Sequence, residues 1–182
     1  MVGDVMPLLI LTGPPGAGKN TIAAAFARGQ TRCAVIDVDL VRWMVLQPHK
    51  APWEGEEGCR QQHLSILNTC WLARNFCEHG FLVVIHDVVS AATARLYRRE
   101  LHAHEPKIVL LLPVFEEIER RNNLRPPRLT AEQIRTQYQS QEAFTDYDYR
   151  FDNTALSAQE VAARLLAVEA RETPYSDGPT KG

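Results

Sequence analysis

The sequence predicts an α/β fold, a parallel sheet with helices on both faces. Two observations carry this. Short apolar runs alternate with helical patterns along the chain. The motif-bearing residues follow directly on the ends of those runs, where parallel sheets bind their ligands. Composition agrees: 182 residues, 45 % hydrophobic and 23 % charged, suit one domain with a sizeable core. That apolar content excludes a disordered chain.

Leu8–Leu11 is a short buried-strand pattern that stops at a Gly/Pro cluster. Asn20–Arg28 is Ala-rich without a breaker, hence a helix, which Gly29 ends. Cys33–Asp37 reads as the second strand, and Leu40–Leu46 as a helix stopped by Pro48. His49–Gly58, with its prolines, glycines and glutamates around Trp53, reads as a loop. A long helix follows over Cys59–Glu78, with Leu64, Leu67, Trp71 and Leu72 at helical spacing as its apolar stripe.

Phe81–Ile85 is the most β-like run, and Ala91–His104 is helical. Ile108–Leu112 is the fourth strand, closed by Pro113, and Phe115–Asn122 a helix. Arg125-Pro126-Pro127-Arg128 cannot continue that helix. Thr130 and Gln133 form a capping signal for a helix to Ala143. Tyr147–Phe151 is a weak fifth strand, and Ser157 caps a last helix ending near Arg171. The reading is one domain over residues 1–172, with a disordered tail expected at 173–182.

Twenty Lys and Arg against 22 Asp and Glu leave a formal charge of −2, which argues against a nucleic-acid partner bound through its backbone. No apolar run is long enough to span a bilayer, so no membrane partner is expected. The N-terminus has no basic region with a cleavage site, so no signal peptide is expected. Cys33, Cys59, Cys70 and Cys77 form no C-x-x-C pair and read as buried reduced thiols of a cytoplasmic protein.

Gly13-Pro14-Pro15-Gly16-Ala17-Gly18-Lys19 follows the first strand and opens the first helix, the Walker A spacing. Its glycines let backbone N–H groups approach phosphate oxygens, and the helix N-terminus adds positive potential. Lys19 supplies a full charge to the β- and γ-phosphates. Asn20 stands where a Ser or Thr normally ligates Mg²⁺, and Thr21 comes next. An amide oxygen can face a hard cation, so Asn20 is a metal candidate. The cofactors implied are a nucleoside triphosphate and Mg²⁺.

Asp37 and Asp39 stand at the end of the second strand, where a carboxylate that orients an acceptor hydroxyl belongs. An N-cap role competes for Asp39. Arg42, one turn on, is either an acceptor contact or a solvated arginine. Asp87, after the third strand, fits the acid that organises Mg²⁺, and His86 reads as a core histidine. Arg120, Arg121, Arg125 and Arg128 cluster at about residues 120–130, a candidate lid whose arginines would steady a transferring phosphoryl group.

Residues 8–170 together resemble the small-molecule kinases of the P-loop superfamily, most of all the chloramphenicol phosphotransferase and gluconate-kinase-like branch. The matching residues are the phosphate loop, Val38-Asp39, His86-Asp87 and the spacing of Arg121, Arg125 and Arg128. Lys-Asn-Thr resembles the Lys-Gly-Thr of adenylate kinases, and His86 replaces an acid of that branch. The resemblance implies a P-loop kinase fold with strand order 2-3-1-4-5, Asp39 as base on the acceptor hydroxyl, and Asn153 near the nucleotide base.

The acceptor pocket is expected from Asp37, Asp39, Arg42, the Trp53 loop and the start of the long helix at Gln62, His63 and Ile66. Trp53 is either a stacking platform or an apolar plug. No dense anion-binding cluster is visible there, which disfavours a strongly phosphorylated acceptor. The function expected is transfer of the γ-phosphate of ATP to a hydroxyl of a small molecule such as a sugar acid or an antibiotic. The competing expectation is a nucleotide-binding module without transfer. Oligomeric state is left open.

Overall fold

A computed structural model describes residues 8–124 and 129–170, with side chains described through residue 166. Five strands form one parallel sheet: β1 (Leu8–Thr12), β2 (Cys33–Asp37), β3 (Leu82–His86), β4 (Lys107–Leu111) and β5 (Tyr149–Phe151). Their order is β2-β3-β1-β4-β5. The register pairs Ile10 with Ile85 on one side and with Ile108 on the other. The helices are α1 (Lys19–Arg28), α2 (Val38–Arg42), α3 (Gly55–Glu78), α4 (Ala91–Glu100), α5 (Phe115–Asn123), α6 (Ala131–Glu142) and α7 (Ala158–Ala170). A 3₁₀ turn over His102–His104 follows α4.

The period-two alternation of β1 sends Leu8 and Ile10 to one face and Leu9 and Leu11 to the other, so both faces are dry. The first face packs Ile66 and Ala73 of α3 and Tyr97 of α4 against Ile85 and Ile108. The second packs Ile22 and Phe26 of α1, Ile118 of α5 and Val161 and Leu165 of α7 against Val84 and Val109. Among the described residues, no helix is long and apolar enough to cross a membrane.

The structure corrects three expectations. On α3, Leu64, Trp71 and Leu72 are 46 %, 68 % and 39 % exposed, while Ile66, Cys70, Ala73 and Cys77 are buried. Small Cys and Ala side chains let the helix lie close to the sheet, and the bulkier stripe is turned outward. Trp71 is covered there by the Arg74 guanidinium, 4.4 Å from its ring centroid. Second, α2 begins at Val38 and ends at Arg42, and its cap is Asp37, whose Oδ1 accepts from the Asp39 N–H at 2.9 Å. Trp43, Met44 and Leu46 beyond it are exposed, so no core holds the helix further. Third, Cys59 is exposed and Cys33 half-buried; only Cys70 and Cys77 are buried. Burial pushes the Cys70 thiol up to about 12 and the Cys77 thiol up to about 11.

Helix α3 also starts earlier than expected, at Gly55. Buried Gln61 ties the preceding segment to it. Its Oε1 accepts from the Lys50 N–H at 2.9 Å, and its Nε2 donates to the Pro48 carbonyl at 2.6 Å. Arg125 and Arg128, with the tail from residue 171, lie outside the described residues.

Candidate active site

The loop between β1 and α1 is shaped by its glycines. Gly13 has φ +146°, and a Cβ there would overlap the Leu111 carbonyl oxygen of β4. Gly18 caps α1 in the left-handed region, φ 92°, with no side-chain cap and no acidic residue in the first turn. The first-turn N–H groups and the helix dipole are therefore left for an anion. Lys19 Nζ folds back over this loop, donating to the Gly13 carbonyl at 2.7 Å and the Pro14 carbonyl at 3.2 Å.

Beside the loop lies a cleft of about 230 Å³ that brings together Lys19, Asn20, Asp37, Asp39, His86 and Asp87. Asp37 is its hub. Its Oδ2 accepts from Asn20 Nδ2 at 3.5 Å, its Oδ1 from the Asp39 N–H, and His86 Nδ1 lies 3.8 Å from that Oδ1. Burial pushes the His86 imidazole below its ordinary range, against the opposing pull of Asp37. The structure thus puts His86 in the cleft wall as well as in the core.

Asp87 is held from two sides. Tyr97 Oη donates to its Oδ2 at 2.9 Å, and the Val88 N–H to its Oδ1 at 2.7 Å. Burial raises its carboxyl above the usual range, and those two bonds partly oppose the rise. Behind it, Thr12 Oγ1 donates to Gln141 Oε1 at 3.0 Å and accepts from the Val89 N–H at 2.8 Å. Gln141 Nε2 donates to the Val89 carbonyl at 2.9 Å, so α6 holds the turn that carries Asp87. Nothing in the local sequence around Asp87 signals Thr12, Tyr97 or Gln141, because each arrives from a different element.

Other candidates fall elsewhere. Arg42 pairs with Asp39 at 2.9 Å and is not part of the cleft lining. Trp53 is 76 % exposed and stands outside that lining. His63 lines a separate groove between α3 and α4. Arg121 sits on α5 rather than in a lid. Its Nε donates to Glu117 Oε1 at 2.7 Å, and its Nη1 reaches the Gly16 carbonyl at 3.2 Å and the Ala17 carbonyl at 3.4 Å. Its Nη2 donates to the Asn153 carbonyl at 3.3 Å. Bonds from Arg120 and Arg121 push the Glu117 carboxyl down to about 2. The Asn122 amide bonds both the N–H and the carbonyl of Leu129 at 3.1 Å.

On the other side of Gly18 and Thr21 a second cavity, also of about 230 Å³, is lined by Ile22, Leu156 and Ala158, with Arg121 and Asn153. Asn153 is 2 % exposed, and its Nδ2 donates to the Ala17 carbonyl at 2.8 Å. The phosphate-loop backbone therefore separates a carboxylate-lined cleft from an apolar cavity carrying one guanidinium and one amide.

By sequence, no family model and no curated protein matches the chain. Solved structures do. A shikimate kinase from Bacteroides thetaiotaomicron matches with TM-score 0.68 and 21 % identity, over 91 % of this chain and 99 % of that one. The tunicamycin resistance protein of Deinococcus radiodurans matches with TM-score 0.67 and 17 % identity, over 90 % and 95 %. The APS kinase CysC of Mycobacterium tuberculosis, in complex with AMPPNP and APS, matches with TM-score 0.65 and 16 % identity, over 91 % and 98 %. The fold is that of the P-loop kinases. It carries the strand order that the resemblance implies and the phosphate-loop position that the sequence predicts.

Proposed function

We propose that this chain is a small-molecule kinase that transfers the γ-phosphate of ATP to a hydroxyl group, in the chloramphenicol phosphotransferase and gluconate-kinase-like branch. The observation that carries the reading is the single cleft uniting an uncapped phosphate-loop helix, Lys19 and the carboxylates Asp37, Asp39 and Asp87. A binding module needs the first two; the carboxylates beside them suit an acceptor and a cation.

The geometry supports the following division of labour. The α1 N-terminus and Lys19 bind the phosphates, and the apolar cavity beside Asn153 takes the base. Arg121 braces the phosphate loop, fixing its carbonyls so that the N–H groups stay presented. Asp39, 65 % exposed at the cleft edge, accepts the proton of the acceptor hydroxyl, with Arg42 setting its orientation. Its contact with Arg42 keeps the carboxylate aimed, as an acceptor-orienting group requires.

The residues present fit Mg²⁺. Asn20 spends its N–H on Asp37, so its Oδ1 is left as a ligand atom, and the cleft supplies carboxylate oxygens. Among the described residues, no three His, Cys, Asp or Glu side chains group closely enough to hold a metal alone. Asn20, Asp37 and Asp87 would hold it; the ion supplies charge neutralisation on the phosphoryl oxygens.

The test is Asp39→Asn. It keeps nucleotide affinity within about twofold and lowers acceptor-dependent ADP formation by about 10²–10⁴. Unchanged transfer in that variant refutes the role of Asp39.

A further inference from the structure

The groove between α3 and α4 has a chemistry opposite to that of the cleft. It encloses about 450 Å³. His63 lines it from α3, and Arg95 and Arg99 from α4, with Thr93 and Gln62 as neutral donors. Its floor is apolar, formed by Ile66 and Leu96, which are 0 % and 8 % exposed. Among the described residues no carboxylate lines it. Arg99 is shared with Glu100 at 2.8 Å, whereas Arg95 has no hydrogen-bond or ion-pair partner among the described residues.

Its place in the fold links it to transfer. In a parallel sheet, α4 leaves the carboxyl edge just after β3, and α3, running back toward the start of β3, has its N-terminal half at that same edge. Val88 lines the cleft, and Ala92, four residues further along the chain in the first turn of α4, lines the groove. The cleft itself offers an anionic acceptor nothing: its lysine faces the phosphate loop, Arg42 is committed to Asp39, and three carboxylates line it. The arginines that line the groove come from α4, some thirty residues beyond His63 along the chain, whereas Arg60 of α3 is paired with Glu56 and is not in the lining.

We propose that this groove is the subsite for an anionic group, a carboxylate or a phosphate, carried by the acceptor, held by Arg95 with Arg99 and His63 while Ile66 and Leu96 seat its carbon skeleton. This rests on the transfer reading above. The bipolar surface would orient the acceptor, anion into the groove and hydroxyl toward Asp39.

The experiment is calorimetric titration of the whole chain, saturated with Mg-AMPPNP so that no turnover is needed. Two matched pairs serve as probes: gluconate with sorbitol, and shikimate with its methyl ester. At least one acid is expected to bind about tenfold or more tightly than its neutral partner, as a charge-assisted contact gives. Arg95→Gln with Arg99→Gln should abolish that preference, Arg95→Lys should retain most of it, and AMPPNP affinity should not change in either. No preference in both pairs, or a preference surviving the double variant, overturns the proposal. Inorganic phosphate binding as tightly as the preferred acid also overturns it, since the groove would then take free anions. Failure of the transfer reading is separable: it shows as absent ADP formation with the anion preference intact.

Discussion

Tyr97→Phe probes the wiring of the cleft most sharply. The substitution removes one oxygen from a fully buried ring and leaves its packing in place. What is lost is the 2.9 Å bond to Asp87 Oδ2, leaving that half-buried carboxylate with the Val88 N–H. A hydrogen bond to a charged group contributes about 1.5–3 kcal/mol. For a chain of this size about 2 kcal/mol lowers Tm by roughly 4–8 °C. The pH dependence has a definite sign. The folded-state pKa of Asp87 is raised above its unfolded value by burial, so its ionisation lowers stability as pH rises through that folded pKa. Losing the Tyr97 bond raises the folded pKa further, which deepens the loss at neutral pH. Below the unfolded aspartate pKa the carboxyl is protonated in both states and the extra loss disappears. Urea denaturation of both proteins at neutral pH and at progressively lower pH, while both remain folded, measures the difference. A penalty below about 0.5 kcal/mol at neutral pH, or one that does not shrink on acidification, refutes the reasoning.

Four further outcomes follow from the same contacts. Ile66→Ala should destabilise by about 2–5 kcal/mol, while Trp71→Ala, on the outer face of α3, should change stability by no more than about 1 kcal/mol; urea midpoints decide. Gln141→Ala leaves the Thr12 hydroxyl and the Val89 carbonyl without their partner. It should cost about 2–5 kcal/mol by the same assay and lower transfer by disturbing the Asp87 turn. Gly13→Ala should yield little folded protein, because its Cβ would meet the β4 backbone, and soluble expression with far-UV circular dichroism reads this. Arg121→Gln should weaken nucleotide binding several-fold in calorimetry by releasing the Gly16 and Ala17 carbonyls.

The sheet was legible because each strand is an apolar run cut off by turn residues or an acid, and the phosphate loop because its glycines and lysine act locally. Helix α3 misled because two stripes satisfy its period. Large residues such as Trp71 looked like core, yet close packing on a sheet selects Cys70 and Ala73. An N-cap role competed for Asp39 because capping is a choice between neighbours two residues apart, settled by the backbone conformation at Asp37. The Thr12–Gln141–Val89 network and the Arg95–His63 groove were invisible for a different reason. Their members lie far apart in the chain, and no local pattern records that the sheet joins them. Arg121 could be placed only when its bonds to the loop carbonyls were seen.

The central claim is phosphoryl transfer from this cleft, and ADP formation from Mg-ATP tests it most directly. The acceptor panel should span sugar acids, shikimate-like polyols, nucleoside monophosphates and hydroxylated antibiotics, with Lys19→Ala beside it. The account predicts acceptor-dependent ADP formation that Lys19→Ala lowers by at least about a hundredfold. ATP binding with no ADP formed against any acceptor, or ADP formation indifferent to Lys19, would contradict it.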